Sequence, residues 1–179
     1  MSLTAADAEV VTRQLGRPPR DAIEVAHRCP CGNPDVVATA PRLGDGTPFP
    51  THYYLTCPKA SSSIGTLEAD GLMRLMSERL TRDEALAQAH SRAHEAYLAA
   101  RDRHGTVPEI AGTSAGGMPG RVKCLHVLVA HALAAGPGIN LLGDEALEQL
   151  PRWWAAGPCV GSDESVEAAV SSARLPHTR

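Results

Sequence analysis

At 179 residues the chain is long enough to fold around one substantial hydrophobic core, and 43% hydrophobic residues are ordinary for a globular protein. A net charge of −3 provides no basic excess for general nucleic-acid binding, and no apolar run reaches the roughly 20 residues that a membrane-spanning helix needs. The acidic N-terminus, MSLTAADAEVV, does not resemble a secretion signal, so we expect a cytoplasmic protein whose five cysteines stay reduced.

The first third of the chain predicts one helix followed by three short strands. The helix is expected over residues 4–15, where Thr4 suits the N-cap. Alternating apolar residues, tyrosines and threonines indicate strands, which are separated by the turn CPCGNP and by a proline-rich loop. The predicted strands cover residues 22–28, 35–40 and 51–57. Because these strands follow one another over short connections, we expect a small antiparallel sheet of about three strands.

The remainder of the chain predicts helices, marked by capping residues, apolar residues at helical spacing and terminal glycines. The predicted helices cover residues 61–71, 81–105, 120–135 and 144–150. A glycine-rich loop precedes the third of them, and Pro119 suits an early position in that helix. We therefore predict an α+β fold, one domain over residues 1–160, with the sheet packed against several α-helices. Residues 161–179 are expected to form a polar C-terminal tail that is disordered or partly helical.

Cysteines stand at the ends of the predicted strands, next to proline-containing turns. Cys29 and Cys31 lie in RCPCG, and Cys57 lies in LTCP. Such turns can present sulfur atoms from two strands to one point, and zinc takes four tetrahedral nitrogen or sulfur ligands. Cys29, Cys57 and Cys124 with one histidine would form a Cys3His set. Cys159 has no ligand-type neighbour in sequence and is expected to be a small buried hydrophobic residue.

The segment RVKCLHVLVAH supplies two candidates for the histidine ligand. Cys124 and His131 share a helix face, but they lie about 10.5 Å apart along the axis, which is near or beyond the span of one ion. His126 lies about 200° around a regular helix from Cys124 and can join it only if the helix starts nearby. We predict such a start, so His126 is the preferred fourth ligand. His131 and Cys31 are reserve ligands, and the alternative for His131 is a hydrogen-bonded core histidine.

The same segment also fits a nucleophile. A cysteine near a helix N-terminus experiences partial positive charge that favours its thiolate, and His126 or His131 could act as its base. The preceding loop, GTSAGGMPGRVK, offers backbone N–H groups together with the cations of Arg121 and Lys123, which suit an anion. A second hypothesis is therefore a Cys124-dependent transferase or hydrolase that acts on a phosphorylated or anionic substrate.

Several unusual segments of the sequence, taken in order, resemble a known family. They are GRPPR, VAHRCPCGNPDVV, DGTPFPTHYYLTCP, LEADGLM and GGMPGRVKCLHVLVAHALAAGPGIN. Together they cover most of residues 16–145 and resemble the bacterial, mainly actinobacterial, domain of unknown function 501. The resemblance implies no established activity, but it does imply a gene context near cell-division and exopolyphosphatase genes. Because the position of Cys31 varies in that family, the resemblance favours Cys29, Cys57 and Cys124 as the functional thiols.

The leading hypothesis is thus a cytoplasmic protein with a Cys/His metal site that joins the strand-end turns to the 120–135 helix. Zinc is favoured, in a structural or regulatory role, although thiolate ligands suit an iron–sulfur cluster as well. The third hypothesis is an interaction protein in a division-related complex, whose cysteines are merely buried. The sequence does not specify its protein partner, and it indicates no membrane association.

Overall fold

A three-stranded antiparallel sheet forms the framework of the fold. The computed structural model describes residues 1–161, and the predicted tail beyond Gly161 lies outside that range. The strands β1 (Ala22–Arg28), β2 (Pro34–Thr39) and β3 (Tyr53–Leu55) follow in the order β1–β2–β3. Strand β2 lies between its two neighbours and is buried along its whole length. The predicted sheet is therefore confirmed, although β3 is shorter than expected.

Six α-helices accompany this sheet in the described part of the chain, which confirms the α+β class. They are α1 (Ala5–Leu15), α2 (Pro58–Ala69), α3 (Leu72–Leu80), α4 (Glu84–Asp102), α5 (Leu125–Ala135) and α6 (Leu141–Glu148). A short 3-10 helix, Pro108–Ile110, lies between α4 and α5. None of the helices described here has both the length and the apolar character that crossing a membrane requires.

Several helix boundaries differ from the predicted ones. Helix α2 begins directly after Cys57, at a proline, which suits the first helical position because it has no N–H to satisfy. Helix α4 is capped by Asp83 rather than by Thr81, since the Asp83 side chain accepts a backbone N–H of the first turn. Helix α3 was not predicted, because it follows Gly71 in a left-handed conformation and has no capping side chain.

Helix α5 is the central helix of the fold. It packs against all three strands and against α6, and much of it is buried. The backbones of α5 and α6 approach so closely at Gly143 that a Cβ there would collide with the carbonyl oxygen of Leu128. Helix α5 begins at Leu125 rather than at residue 120. The preceding loop folds back on itself instead, since the N–H of Lys123 donates to the carbonyl of Gly116 at 2.7 Å.

Candidate metal centre

The candidate centre lies where α5 begins. Cys124 is the N-cap residue and has an extended backbone, with φ −156° and ψ 114°. The regular rotation of a helix therefore does not separate Cys124 from His126, and Sγ of Cys124 lies within 4.8 Å of a ring nitrogen of His126. The prediction that the helix starts beside these two residues, so that they can meet, is confirmed.

Glu68, near the C-terminal end of α2, completes the cluster. Its Oε1 atom accepts the N–H of Leu125 at 2.7 Å and lies 3.2 Å from Nδ1 of His126. One ligand atom from each of Glu68, Cys124 and His126 lies within 4.8 Å of the other two, and all three residues are half-buried. Carboxylate oxygen, thiolate sulfur and imidazole nitrogen are all zinc ligands, so the cluster could hold a metal ion.

The surroundings of His126 favour a positive charge on its ring. The hydrogen bond with Cys124 does most to raise the pKa of His126 from 6.5 to about 9; burial opposes this rise, and the hydrogen bond with Glu68 adds to it. The Nε2 atom lies 3.2 Å from the carbonyl oxygen of Ser61, which can only accept a hydrogen bond. Nε2 therefore carries a hydrogen, and Nδ1 is the atom directed towards Glu68.

A pocket of about 310 Å³ opens at the cluster. Cys124 and His126 line it together with residues of β3, two of which are tyrosines. The lining residues are Thr51, Tyr53, Tyr54, Leu55, Ser61, Cys124, His126 and Val127. A small molecule in this pocket would therefore lie beside both Cys124 and His126.

The cluster lies entirely within the part of the chain that matches a known family. The model of a family described as protein of unknown function (DUF501) matches residues 25–148, which is more than half of the chain. The chain belongs to the DUF501 family. The resemblance seen in the sequence is thus confirmed. No curated protein and no solved structure matches the chain significantly.

Two of the predicted ligands of this DUF501 protein lie elsewhere. Cys29 and Cys57 are buried members of the hydrophobic core, and neither belongs to the cluster. The thiol of Cys29 is hydrogen-bonded with that of Cys31, and the thiol of Cys57 with that of Cys159. Burial raises the pKa of Cys29 to about 11. Of the four predicted ligands, only the pair at the start of α5 is brought together among the described residues.

His131, a reserve ligand, is a core residue of the DUF501 protein. Its residue is 1% exposed, and its ring stacks on Tyr53 with centroids 5.7 Å apart and meets the Tyr97 ring edge-on at 5.2 Å. Its Nδ1 atom lies 3.2 Å from the side-chain nitrogen of Asn140. Burial lowers the pKa of His131 to about 4, so the ring is neutral at physiological pH. The structure therefore agrees with the alternative prediction of a hydrogen-bonded core histidine.

The two cations predicted to bind an anion, Arg121 and Lys123, are both exposed. Neither lines the pocket that contains Cys124 and His126. The other reserve ligand, Cys31, is half-buried in the turn between β1 and β2. These three residues therefore lie outside the lining of the pocket.

Glu68 is the member of the cluster that the sequence patterns did not single out. It belongs to LEADGLM, a segment that carries the family resemblance, but it precedes Cys124 by 56 positions. No spacing rule connects residues of two helices so far apart, and only the packing of α2 on α5 brings them together. A carboxylate within a family-specific segment is the one signal that could have indicated it.

Proposed function

We propose that this DUF501 protein binds a divalent transition metal ion, with zinc favoured, through Glu68, Cys124 and His126. The observation that carries the proposal is the 3.2 Å separation of His126 Nδ1 from Glu68 Oε1. Two ligand atoms at about 2.0–2.1 Å from a tetrahedral zinc ion are about 3.3–3.4 Å apart. These two atoms therefore already have close to the spacing that a shared metal ion requires.

The groups around the ligands support the same proposal. A metal-bound histidine usually donates its other N–H to a carbonyl or carboxylate, which fixes the orientation of the ring. Ser61 provides such a carbonyl oxygen, 3.2 Å from Nε2 of His126. The N–H of Leu125 holds the Glu68 carboxylate in a comparable way. Both ligands are therefore oriented by neighbours that do not themselves coordinate.

Charge balance also favours a cation between these residues. A thiolate and a carboxylate carry two negative charges, which a divalent ion bound with neutral His126 would compensate. In the metal-free protein a proton on His126 supplies part of this compensation, as the raised pKa of His126 indicates. Metal and proton thus compete for Nδ1, and the affinity for zinc should increase with pH.

The fourth coordination position would be directed to the pocket at β3. Three protein ligands with an open position are typical of catalytic zinc sites, whereas structural sites have four protein ligands. We therefore infer a metal that binds water or a small ligand in the pocket and that also links α2 to the start of α5 in a regulatory or structural role. Zinc suits the cluster better than an iron–sulfur centre, because such centres are held by several thiolates and only one cysteine is present here.

Elemental analysis of the full-length protein, purified anaerobically, tests this proposal. The wild-type protein should retain about one zinc ion per chain, and Cys124→Ser and Glu68→Gln should lose most of it. Cys31→Ser is the matched control, because Cys31 is also half-buried but lies outside the cluster. Cobalt titration followed by visible absorption gives a second readout. A folded wild-type protein that neither retains zinc nor binds added cobalt would refute the proposal.

One observation favours a second candidate function, a nucleophilic Cys124. In the metal-free protein both ring nitrogens of His126 face oxygen acceptors, which favours the protonated ring, and the Cys124 sulfur lies close to that ring. This arrangement is typical of cysteine–histidine nucleophiles. Iodoacetamide should then alkylate Cys124 faster than a model thiol, and His126→Gln should remove the difference. A rate in the wild-type protein no higher than that of the model thiol would exclude this candidate.

A further inference from the structure

Residues 157–160, near the end of the described chain, are held against the start of α2 and the turn between β1 and β2. The Nζ of Lys59 donates to the carbonyl of Gly157 at 3.0 Å, and Nδ2 of Asn33 donates to the carbonyl of Val160 at 3.2 Å. Cys159 lies between these two anchors. Cys159 packs against the hydrophobic core, but it is half-buried rather than buried, as had been expected, and its sulfur accepts a hydrogen bond.

The sulfur of Cys159 accepts a hydrogen bond and has further polar neighbours. The Nε2 of Gln14 donates to it at 3.2 Å and is itself positioned by the carbonyl of Pro34, which it contacts at 2.7 Å. The side chain of Asn33 and the N–H of Val160 also help to lower the pKa of Cys159, and the thiol of Cys57 contributes most to this shift. Such a set of donors stabilises an anionic sulfur.

Cys57 and Cys159 differ in exposure and in protonation. Cys57 is 1% exposed, whereas Cys159 is half-buried and accessible from solvent. The hydrogen bond from Cys57 lowers the pKa of Cys159 to about 6, and the same hydrogen bond together with burial raises the pKa of Cys57. Of the two thiols, Cys159 is therefore the one that ionises more readily.

We propose that Cys57 and Cys159 form a redox pair, in which a hydroperoxide oxidises Cys159 and Cys57 then closes an intramolecular disulfide. Redox-sensing cysteines typically combine an accessible thiolate with a second thiol within reach. Here Lys59, two positions after Cys57, donates to the carbonyl of Gly157, two positions before Cys159, and the two thiols interact. Neither residue belongs to the cluster of Glu68, Cys124 and His126. The proposal therefore does not depend on the proposed metal site.

The reaction is a two-electron oxidation of the two thiols. The Cys159 thiolate attacks one oxygen of the hydroperoxide, the O–O bond breaks, and a hydroxyl group is transferred to sulfur to give a sulfenic acid. The other oxygen leaves as hydroxide or alkoxide and takes a proton from solvent. The Cys57 sulfur then attacks the Cys159 sulfur, the S–O bond breaks, and hydroxide leaves as water with the Cys57 proton. The disulfide fastens residues 157–160 covalently to the start of α2.

Competitive alkylation of the wild-type protein is the first test, because it requires no variant to fold. The rate of iodoacetamide modification is measured at each cysteine over a range of pH by peptide mass spectrometry. Cys159 should reach half of its maximal rate well below the pKa of about 8.5 of a free thiol, and it should react ahead of the comparably exposed Cys31. A Cys159 with the pH profile of a free thiol would overturn the proposal.

Oxidation with an equimolar amount of hydrogen peroxide is the second test. The wild-type protein and the matched control Cys31→Ser should form a disulfide between Cys57 and Cys159, found by peptide mapping, whether or not metal has been removed. Cys159→Ser should form no such disulfide. Cys57→Ser, with folding verified by circular dichroism, should instead accumulate a dimedone-reactive sulfenic acid at Cys159. A folded wild-type protein that forms another disulfide, or none, would overturn the proposal.

Discussion

Deprotonation of His126 in the metal-free protein should lower the free energy of unfolding, by an amount that follows from the groups that raise its pKa. Its pKa is raised from 6.5 to about 9, and at ~1.4 kcal/mol per pKa unit the full shift corresponds to ~3.5 kcal/mol. Because the side chain is 32% exposed, solvent screening reduces this to roughly 1–2 kcal/mol. Since the folded state has the higher pKa, the stabilisation is fully present below about pH 6.5 and is lost as the pH rises through about 9.

Urea unfolding of the metal-free wild-type protein and of His126→Gln, at about pH 6 and about pH 9.5, measures this effect. Between these conditions the wild-type protein should lose roughly 1–2 kcal/mol more of its free energy of unfolding than the variant loses. Glu68→Gln should reduce the loss, because one of the two groups that raise the pKa of His126 is then neutral. Equal losses in the wild-type protein and in His126→Gln would refute the assignment of a protonated His126 to the metal-free state.

Three further predictions concern the framework that positions the site. Tyr97→Phe should lower the free energy of unfolding in urea by about 1–3 kcal/mol, because the hydroxyl accepts a buried backbone N–H at 2.6 Å; an unchanged midpoint would contradict this. Gly143→Ala should lower the thermal midpoint by several degrees, because its Cβ would collide with α5. Gly65→Ala is the control and should not lower the midpoint, because a Cβ there has no neighbouring atom within 4 Å. Asp7 has its pKa lowered to about 2 by Arg28, so its stabilisation is present above about pH 3.8 and is lost as the pH falls through about 2. Asp7→Asn should weaken this acid dependence in unfolding measurements, and an identical dependence in both proteins would contradict the ion pair.

The sheet could be predicted because its signals are local. Alternating apolar residues between two turns predicted a strand over residues 22–28, and these are the bounds of β1 (Ala22–Arg28). The same holds for α4, whose apolar face and acidic first turn lie within one continuous segment. Helix α3 carries no such marker, because its N-cap is Gly71 with φ 86° and no side chain satisfies its first N–H groups. Its existence depends on tertiary packing rather than on a start signal.

The candidate centre could be predicted only where its residues come from one segment. Cys124 and His126 were identified together, because the start of a helix decides whether they can meet. Glu68 joins them only through the packing of α2 on α5. The partner of Cys57 is equally remote, since Cys159 follows it by 102 positions. Spacing rules describe neighbours within one element, so they do not predict pairs of residues that only tertiary packing brings together.

Helix α2 connects the two proposed sites and should also keep them energetically separate. Cys57 directly precedes its first residue, and Glu68 is the last but one. At 1.5 Å per residue, the 11 positions from Cys57 to Glu68 correspond to ~16 Å along the helix. Substitutions more than about 7–10 Å apart without shared partners usually add within ~0.5 kcal/mol. The donors around Cys159 and those around Glu68 have no residue in common.

The free energies of unfolding of Cys159→Ser, Glu68→Gln and the double variant test this separation. We expect the two single effects on the free energy of unfolding to add within ~0.5 kcal/mol, because a helix that only holds two sites apart does not make the stability of one depend on the other. A larger coupling would contradict this expectation and would require α2 to change position when either end is altered. By linkage, oxidation of Cys57 and Cys159 would then have to change the zinc affinity of the other site, which a titration of the oxidised and reduced proteins measures directly.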